Sequence, residues 1–321
     1  MPLSRPPSFL RQPSPGGCEL QQVASIPARL TADNRLVFDA TINDVPTGIE
    51  LDTGASISAL SKKFATRLGM PVENSAGVFY GLSGLALDQV TRVRTLRLGS
   101  LTSANAQFLL MPILGDGTDG EPVGLFGSDY LQNYDVEIDI AGGKVNLFNH
   151  DHCPGQLVHW ASEFFKTGIY YAGDTPIHRP MLDIEVEGKR LRALLDTGSP
   201  TTVMRLATAT GRFDLSPGSA GMKQLGDTNG VEGRNLERYE HTFSSMTFGD
   251  ITLHNSRMEI IPINSGAHTN KLGSHIKAAS DQDPDVLIGM SLLKQLHLAI
   301  SYSENAIYYT IATPPKQAAT Q

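Results

Sequence analysis

Two stretches of the chain carry the same alternation of apolar and polar positions. Val37–Asp52 reads VFDATINDVPTGIELD and Met181–Asp196 reads MLDIEVEGKRLRALLD, and they align without a gap at an offset of 144 (196 − 52). In each, apolar and polar residues alternate as on a strand with one buried face, and a polar pair, Asn43-Asp44 or Glu187-Gly188, interrupts the run. The pattern predicts a β-hairpin in each copy, ending in Asp-Thr-Gly. The correspondence resumes downstream. Leu98-Gly99 matches Phe248-Gly249, and Pro112-Ile113 matches Pro262-Ile263, both at an offset of 150. Leu125-Phe126-Gly127 matches Leu287-Ile288-Gly289 at 162. After those glycines, SDYLQNYDVEIDIAGGKVNLF and MSLLKQLHLAISYSENAIYYT align without gaps, each predicting a short helix, a strand, a turn and a strand. The growing offset places two insertions in the second copy. One lies near 219–235 and the other within 264–284, a polar stretch expected to form a surface loop.

A duplication of this length organises the whole chain. It predicts a flexible N-terminal segment over 1–19, a lobe over 20–150, a connector over 151–159, a second lobe over 160–312 and a loose polar tail over 313–321. Pro154 and Gly155 suit the boundary.

Composition narrows the classes. A length of 321 fits about two domains. Hydrophobic content of 40% and charged content of 18% exclude an intrinsically disordered chain. No apolar run approaches the roughly 18–20 residues of a membrane-spanning helix, and a net charge of −7 argues against a nucleic-acid partner. With 31 glycines and 19 prolines, turn-rich, mainly β structure is expected. Residues 1–17 hold five prolines and no apolar core of a secretory signal, so they read either as a flexible tail or as the start of a chain whose signal has been removed. The two cysteines, Cys18 and Cys153, bracket the first lobe. Paired, they tie its start to its end and suit an exported protein, periplasmic or extracellular. Unpaired, they are buried thiols of a cytosolic one. Both readings stay open at this point.

The chemistry lies in Asp52-Thr53-Gly54-Ala55 and Asp196-Thr197-Gly198-Ser199, each preceded by apolar strand residues and followed later by its apolar-apolar-Gly. These paired motifs resemble those of the aspartic proteases. The two-lobe layout is similar to pepsin-type enzymes, and the compact copies are similar to retropepsin subunits joined in tandem. The resemblance spans residues 20–312. It implies an all-β, bilobal fold of two pseudo-twofold-related, barrel-like lobes with short helices. It implies an endopeptidase with Asp52 and Asp196 as catalytic dyad, a peptide or protein substrate, no metal and no cofactor. Because both aspartates belong to one chain, a monomer suffices. The physical requirement is that two carboxylates about 3 Å apart cannot both ionise, as is established for this class. They share a proton and so offer a base and an acid together.

Around the dyad, Gly54 and Gly198 allow close backbone approach and N–H donation to the carboxylates. Thr53 and Thr197 are implied by the resemblance as a reciprocal hydroxyl-to-backbone grip. Ser199 keeps the hydroxyl that in pepsin-like enzymes donates to the aspartate, whereas Ala55 cannot donate. The shared proton is therefore expected mostly on Asp52, and the pH optimum above that of strongly acid-adapted relatives. Glu50 and Leu194 share a strand face with their aspartates, a position that lines a substrate subsite in the family. Glu50 then either favours a basic substrate side chain, or raises the dyad's pKa by like charge, or is a solvated carboxylate turned from the cleft. Tyr80-Gly81-Leu82-Ser83-Gly84 and the polar Gly226–Gly230 segment are flap candidates. Tyr80, Gly81 and Gly84 are expected to contact substrate, the alternative for Tyr80 being a place beneath the hairpin.

Other constellations are weaker. His150, His152, Cys153 and His159 are zinc-ligand types, but they sit on the connector, and no metal is expected there. Asp116-Gly-Thr-Asp-Gly lacks EF-hand spacing. No phosphate-binding loop, dinucleotide fingerprint or nucleophile elbow occurs. Two further functions remain: a catalytically silent peptide-binding module on the same fold, and a duplicated β-domain serving adhesion or assembly.

Overall fold

The computed structural model describes residues 3–4, 10–11, 19–80, 86–112, 114–118, 120–171, 177–229, 235–263 and 283–312. Two short strands come first, β1 (Leu3–Ser4) and β2 (Leu10–Arg11). The first half then runs β3 (Gln22–Leu30), β4 (Leu36–Ile42), β5 (Val45–Leu51), β6 (Ala59–Ser61) and α1 (Lys62–Arg67). It continues with β7 (Glu73–Tyr80), β8 (Ala86–Leu98), β9 (Leu101–Met111), β10 (Gly124–Phe126), α2 (Ser128–Leu131), β11 (Asp135–Asp139) and β12 (Lys144–Phe148). The second half repeats the order: β13 (Glu163–Gly168), β14 (Met181–Val186), β15 (Lys189–Leu195), β16 (Val203–Arg205) and α3 (Leu206–Phe213). It ends with β17 (Lys223–Asn229), β18 (Asn235–Phe248), β19 (Ile251–Ile261), β20 (Val286–Ile288), α4 (Met290–Leu293), β21 (Leu296–Ser301) and β22 (Ala306–Ile311).

Both expected hairpins form, in the same register. Val37 faces Glu50 and Ile42 faces Val45; Met181 faces Leu194 and Val186 faces Lys189. Their two-residue turns need positive φ at both positions to match strand twist. Asn43 (49°) and Asp44 (67°) supply it in one lobe, Glu187 (49°) and Gly188 (74°) in the other.

Each lobe closes into a six-stranded barrel. The order is β4-β5-β10-β6-β9-β8 and back to β4 in the first, and β14-β15-β20-β16-β19-β18 and back to β14 in the second. This is the all-β, two-lobe architecture that the repeats imply. A short helix follows each Asp-Thr-Gly strand pair and each apolar-apolar-Gly. At α1, Ser61 caps the N-terminus by accepting from Phe64 N at 3.2 Å. Within the segment expected to be loose, β1 pairs with β19 and β2 with β13. The second expected insertion and the C-terminal tail lie largely outside the described residues.

The lobes share one sheet, β13-β22-β21-β11-β12-β3. Its centre is the β11–β21 pair, where Val136 faces Ile300 and Ile138 faces Leu298 across the pseudo-twofold axis. Those residues point into the main core with Val145, Leu147 and Ile307. The opposite face is covered by the connector: Leu157 and Val158 pack with Phe148, Phe164, Ala299 and Tyr308. Trp160 stacks flat on His297 at 3.9 Å.

Two carboxylates are buried under that connector, and histidines hold them. Asp135 takes hydrogen bonds from His152 Nε2 (2.6 Å), Ser301 Oγ (2.8 Å) and Ser303 Oγ (2.6 Å). Glu137 is met by His297 Nε2 (2.7 Å), His159 Nε2 (2.9 Å) and Asn146 Nδ2 (2.8 Å). Burial pushes both carboxyls up, but these bonds outweigh it: Asp135 falls below its ordinary range and Glu137 to about 2. The bond to Asp135 raises His152, and the bond to Glu137 raises His159.

The signs define a pH window. The depressed carboxyls contribute stability above their unfolded pKa values, and the raised histidines contribute it below theirs, so the latch is strongest at about pH 5–6. Neither the His152 nor the Asp135 side chain is exposed. His152→Ala should therefore lower unfolding free energy by about 3–5 kcal/mol in that window. The difference from wild type should shrink as pH rises through the raised histidine pKa, as read by urea titration at several pH values.

Candidate active site

Each barrel delivers its aspartate on the loop that leaves its second strand, and the apolar-apolar-Gly segment braces that loop. Asp52 N donates to Phe126 O and Asp196 N to Ile288 O, both at 3.0 Å. Ser128 N donates to Ala55 O (2.9 Å) and Met290 N to Ser199 O (2.8 Å). In the first lobe Gly127 N donates to Ser58 Oγ at 2.8 Å, and Ser58 is in turn held on Asp129 Oδ1 through its N (2.9 Å) and Oγ (2.7 Å). Burial lifts the Asp129 carboxyl to about 6. In the second lobe Thr202 and Ser291 take these places.

The two loops are locked to each other. Thr53 Oγ1 donates to Leu195 O (2.6 Å) and accepts from Thr197 N (3.1 Å). Thr197 Oγ1 donates to Leu51 O (2.7 Å) and accepts from Thr53 N (3.0 Å). Both threonines are buried. This is the reciprocal grip that the resemblance implies. It brings the carboxyls into mutual hydrogen-bond contact. A methyl group on Gly54 would collide with the Asp196 carboxyl, and one on Gly198 with that of Asp52.

The hydrogen bonding favours the other aspartate from the one expected as the holder of the proton. Asp52 Oδ1 accepts two backbone bonds, from Gly54 N (3.0 Å) and Ala55 N (2.8 Å). Asp196 Oδ1 accepts one, from Gly198 N (3.0 Å). The Ser199 hydroxyl turns away and donates to Thr201 O at 2.8 Å. Burial raises both carboxyls, but at Asp52 the two N–H groups pull back, whereas at Asp196 the charge of Asp52 adds to burial. Asp196 is thus raised further, which favours its protonated form. The missing hydroxyl at Ala55 is offset by its own backbone N–H, a donor that side-chain identity does not reveal.

Two arginines were not anticipated. Arg179 is partly buried beside the dyad, where its charge acts on Asp196, Asp283 and Asp52; burial lowers its own pKa. Arg35 acts on Glu50 and donates Nε to Asp33 Oδ2 at 2.8 Å. The offset of 144 also relates these two residues (179 − 35). Extending the repeat alignment two residues upstream would have found them.

Glu50 is not the solvated carboxylate that one reading allowed. It is 4% exposed. Burial pushes its carboxyl well above the usual range, Asp52 adds to this, and Arg35 opposes it. Leu194 is buried in an apolar cluster with Met181, Val203 and Leu287. The flap candidates fall on the hairpins β7–β8 and β17–β18. Gly81 and Gly84 lie outside the described residues, as does the side chain of Tyr80, whose backbone ends β7. Cys153 is disulfide-bonded, and Cys18 lies outside the described residues.

Of the histidines among the zinc-ligand types, His150 and His152 turn toward Asp135 and His159 toward Glu137. Among the described residues, Glu137, Asp139 and His297 have ligand-type atoms within 4.8 Å of one another, on the interlobe sheet.

Thr53→Val should orphan the Leu195 carbonyl and the Thr197 N–H, each at a cost of about 1–3 kcal/mol, measurable by denaturant unfolding. Arg179→Met removes a cation from beside both carboxyls, so the acid limb of any pH–rate profile should move to higher pH, while Ser199→Ala should leave that limb in place.

A sequence profile described as aspartyl protease matches residues 38–130 and 182–292, one span in each lobe. No curated protein gives a significant match to the chain. The matched spans cover more than half of the sequence and contain both Asp-Thr-Gly loops, and the chain belongs to the aspartyl protease family.

Proposed function

We propose that the protein is an aspartic endopeptidase that hydrolyses peptide bonds with water activated between Asp52 and Asp196. The observation that carries this reading is the unequal hydrogen bonding of two touching carboxyls. Two N–H donors favour the ionised form of Asp52, and one donor plus like charge favours the protonated form of Asp196. Asp52 then acts as base, taking a proton from water as its oxygen bonds the scissile carbonyl carbon. Asp196 gives its proton to the carbonyl oxygen. The tetrahedral intermediate collapses as Asp52 passes its proton to the departing amide nitrogen and a hydroxyl of the intermediate returns one to Asp196. No covalent enzyme intermediate is formed.

An extended peptide binds as an added strand between the two hairpins, held through its backbone, and the flaps close over it. One chain supplies both aspartates, which supports a monomer. The disulfide at Cys153 supports an oxidising, exported location.

The test is cleavage of a peptide library from pH 3 to 8. Wild type should give a bell-shaped kcat/KM profile, its acid limb belonging to the first proton lost from the dyad and its basic limb to the second. Asp52→Asn should reduce kcat/KM by about 10²–10⁴-fold or more. Binding of peptides without cleavage at any pH would leave the silent binding module as the function.

A further inference from the structure

The repeats diverge in kind at one position next to the chemistry. Glu50 and Leu194 are equivalent, each two residues before its aspartate at the common offset of 144. Leu194 faces Met181, lies beside Leu287, and completes an apolar patch with Val203. In the first lobe the same register puts Glu50 opposite Val37 and beside Leu125, with Ala59 beyond it. The apolar wall persists there. Ala59, Leu109 and Leu125 pack together with Leu87 and Phe79 of the flap hairpin.

A carboxyl group is set into that region with one oxygen unpartnered. Among the described residues nothing hydrogen-bonds Glu50 Oε1, although the atom is buried. The charge that opposes its protonation, Arg35, has its hydrogen bond to Asp33 instead. Burying a carboxylate without a partner is unfavourable, and a leucine fills the equivalent place in the other lobe. A stable fold does not require the acid here.

We infer that Glu50 is the acceptor of a substrate subsite for a long basic side chain, lysine or arginine, within two residues of the scissile bond. Such a side chain has an alkyl stem to lie along Phe79 and Leu125 and a cationic tip for the Glu50 carboxyl. Strand residues two apart are separated by roughly 6.6 Å, the same spacing as in an extended peptide, so the subsite is adjacent to the dyad. The equivalent position in the second lobe is the apolar Leu194, so the matching subsite there takes an apolar side chain. The preferred sequence is therefore basic on one side of the cut and apolar on the other. This assignment rests on the peptide-cleaving reading of the same cleft.

The experiment compares one cleavable peptide carrying lysine or norleucine at each position near the cut, with wild type, Glu50→Gln and Glu50→Leu. Wild type should favour lysine at one position by at least tenfold in kcat/KM. Glu50→Leu, which copies the second lobe's packing, should reverse that ranking, and Glu50→Gln should weaken it. Equal losses for both peptides, or an unchanged ranking, overturn the proposal in favour of a purely electrostatic effect on the dyad. The affinities of the two peptides for Asp196→Asn, with and without Glu50→Leu, give a readout independent of turnover. A lysine preference that Glu50→Leu abolishes sustains the subsite even if wild type cleaves nothing. Equal affinities, or no binding of either peptide, overturn it.

Discussion

The distance between two acidic groups is set here by neutral hydroxyls. Thr53 and Thr197 each reach across the pseudo-twofold axis to a backbone carbonyl of the other lobe and take a backbone N–H in return. Because all four bonds are buried, breaking one leaves a polar group with no water to replace it. That penalty holds the loops, and with them the carboxyls, at a separation that mutual repulsion would otherwise enlarge. The remaining architecture serves this contact: closed barrels that present each loop, glycine-led segments that brace it, and a shared sheet that fixes the lobes' orientation.

Near-symmetry in the scaffold coexists with asymmetry in charge. The backbone lock is the same from both sides. The bonds to Asp52 and Asp196 are not, since one carboxyl has two donors and the other has one. Arg179 touches the field of both. Residues of the same type thus come to differ in proton affinity through their surroundings alone.

Much of the fold was legible because its signals are local. Alternation in 37–52 and 181–196, turn residues that accept positive φ, and a glycine before α2 and α4 all act within a few residues. The pairing of β11 with β21 was not legible, since it joins segments about 160 residues apart by register alone. The aspartates and threonines could be named from the motif. The proton's location could not, because it depends on the Ala55 N–H, which any residue but proline supplies, and on the rotamer of Ser199. Arg35 and Arg179 were missed because they precede the strands where alternation is read. The burial of Asp135 and Glu137 was hidden for a related reason: alternation on β11 marks the odd positions as solvent-facing, and only the connector folding back makes them interior.

The continuous connector across the back of the shared sheet has a consequence for recognition. Identical halves would form a groove that reads the same after a half-turn, and a bound strand would have no preferred N-to-C direction. Halves joined in one polypeptide accumulate changes separately, as Glu50 against Leu194 and Ala55 against Ser199 record. In the proposed peptide-binding reading the groove thereby acquires a head and a tail, and the orientation in which a chain lies across it becomes an inherited property of the molecule.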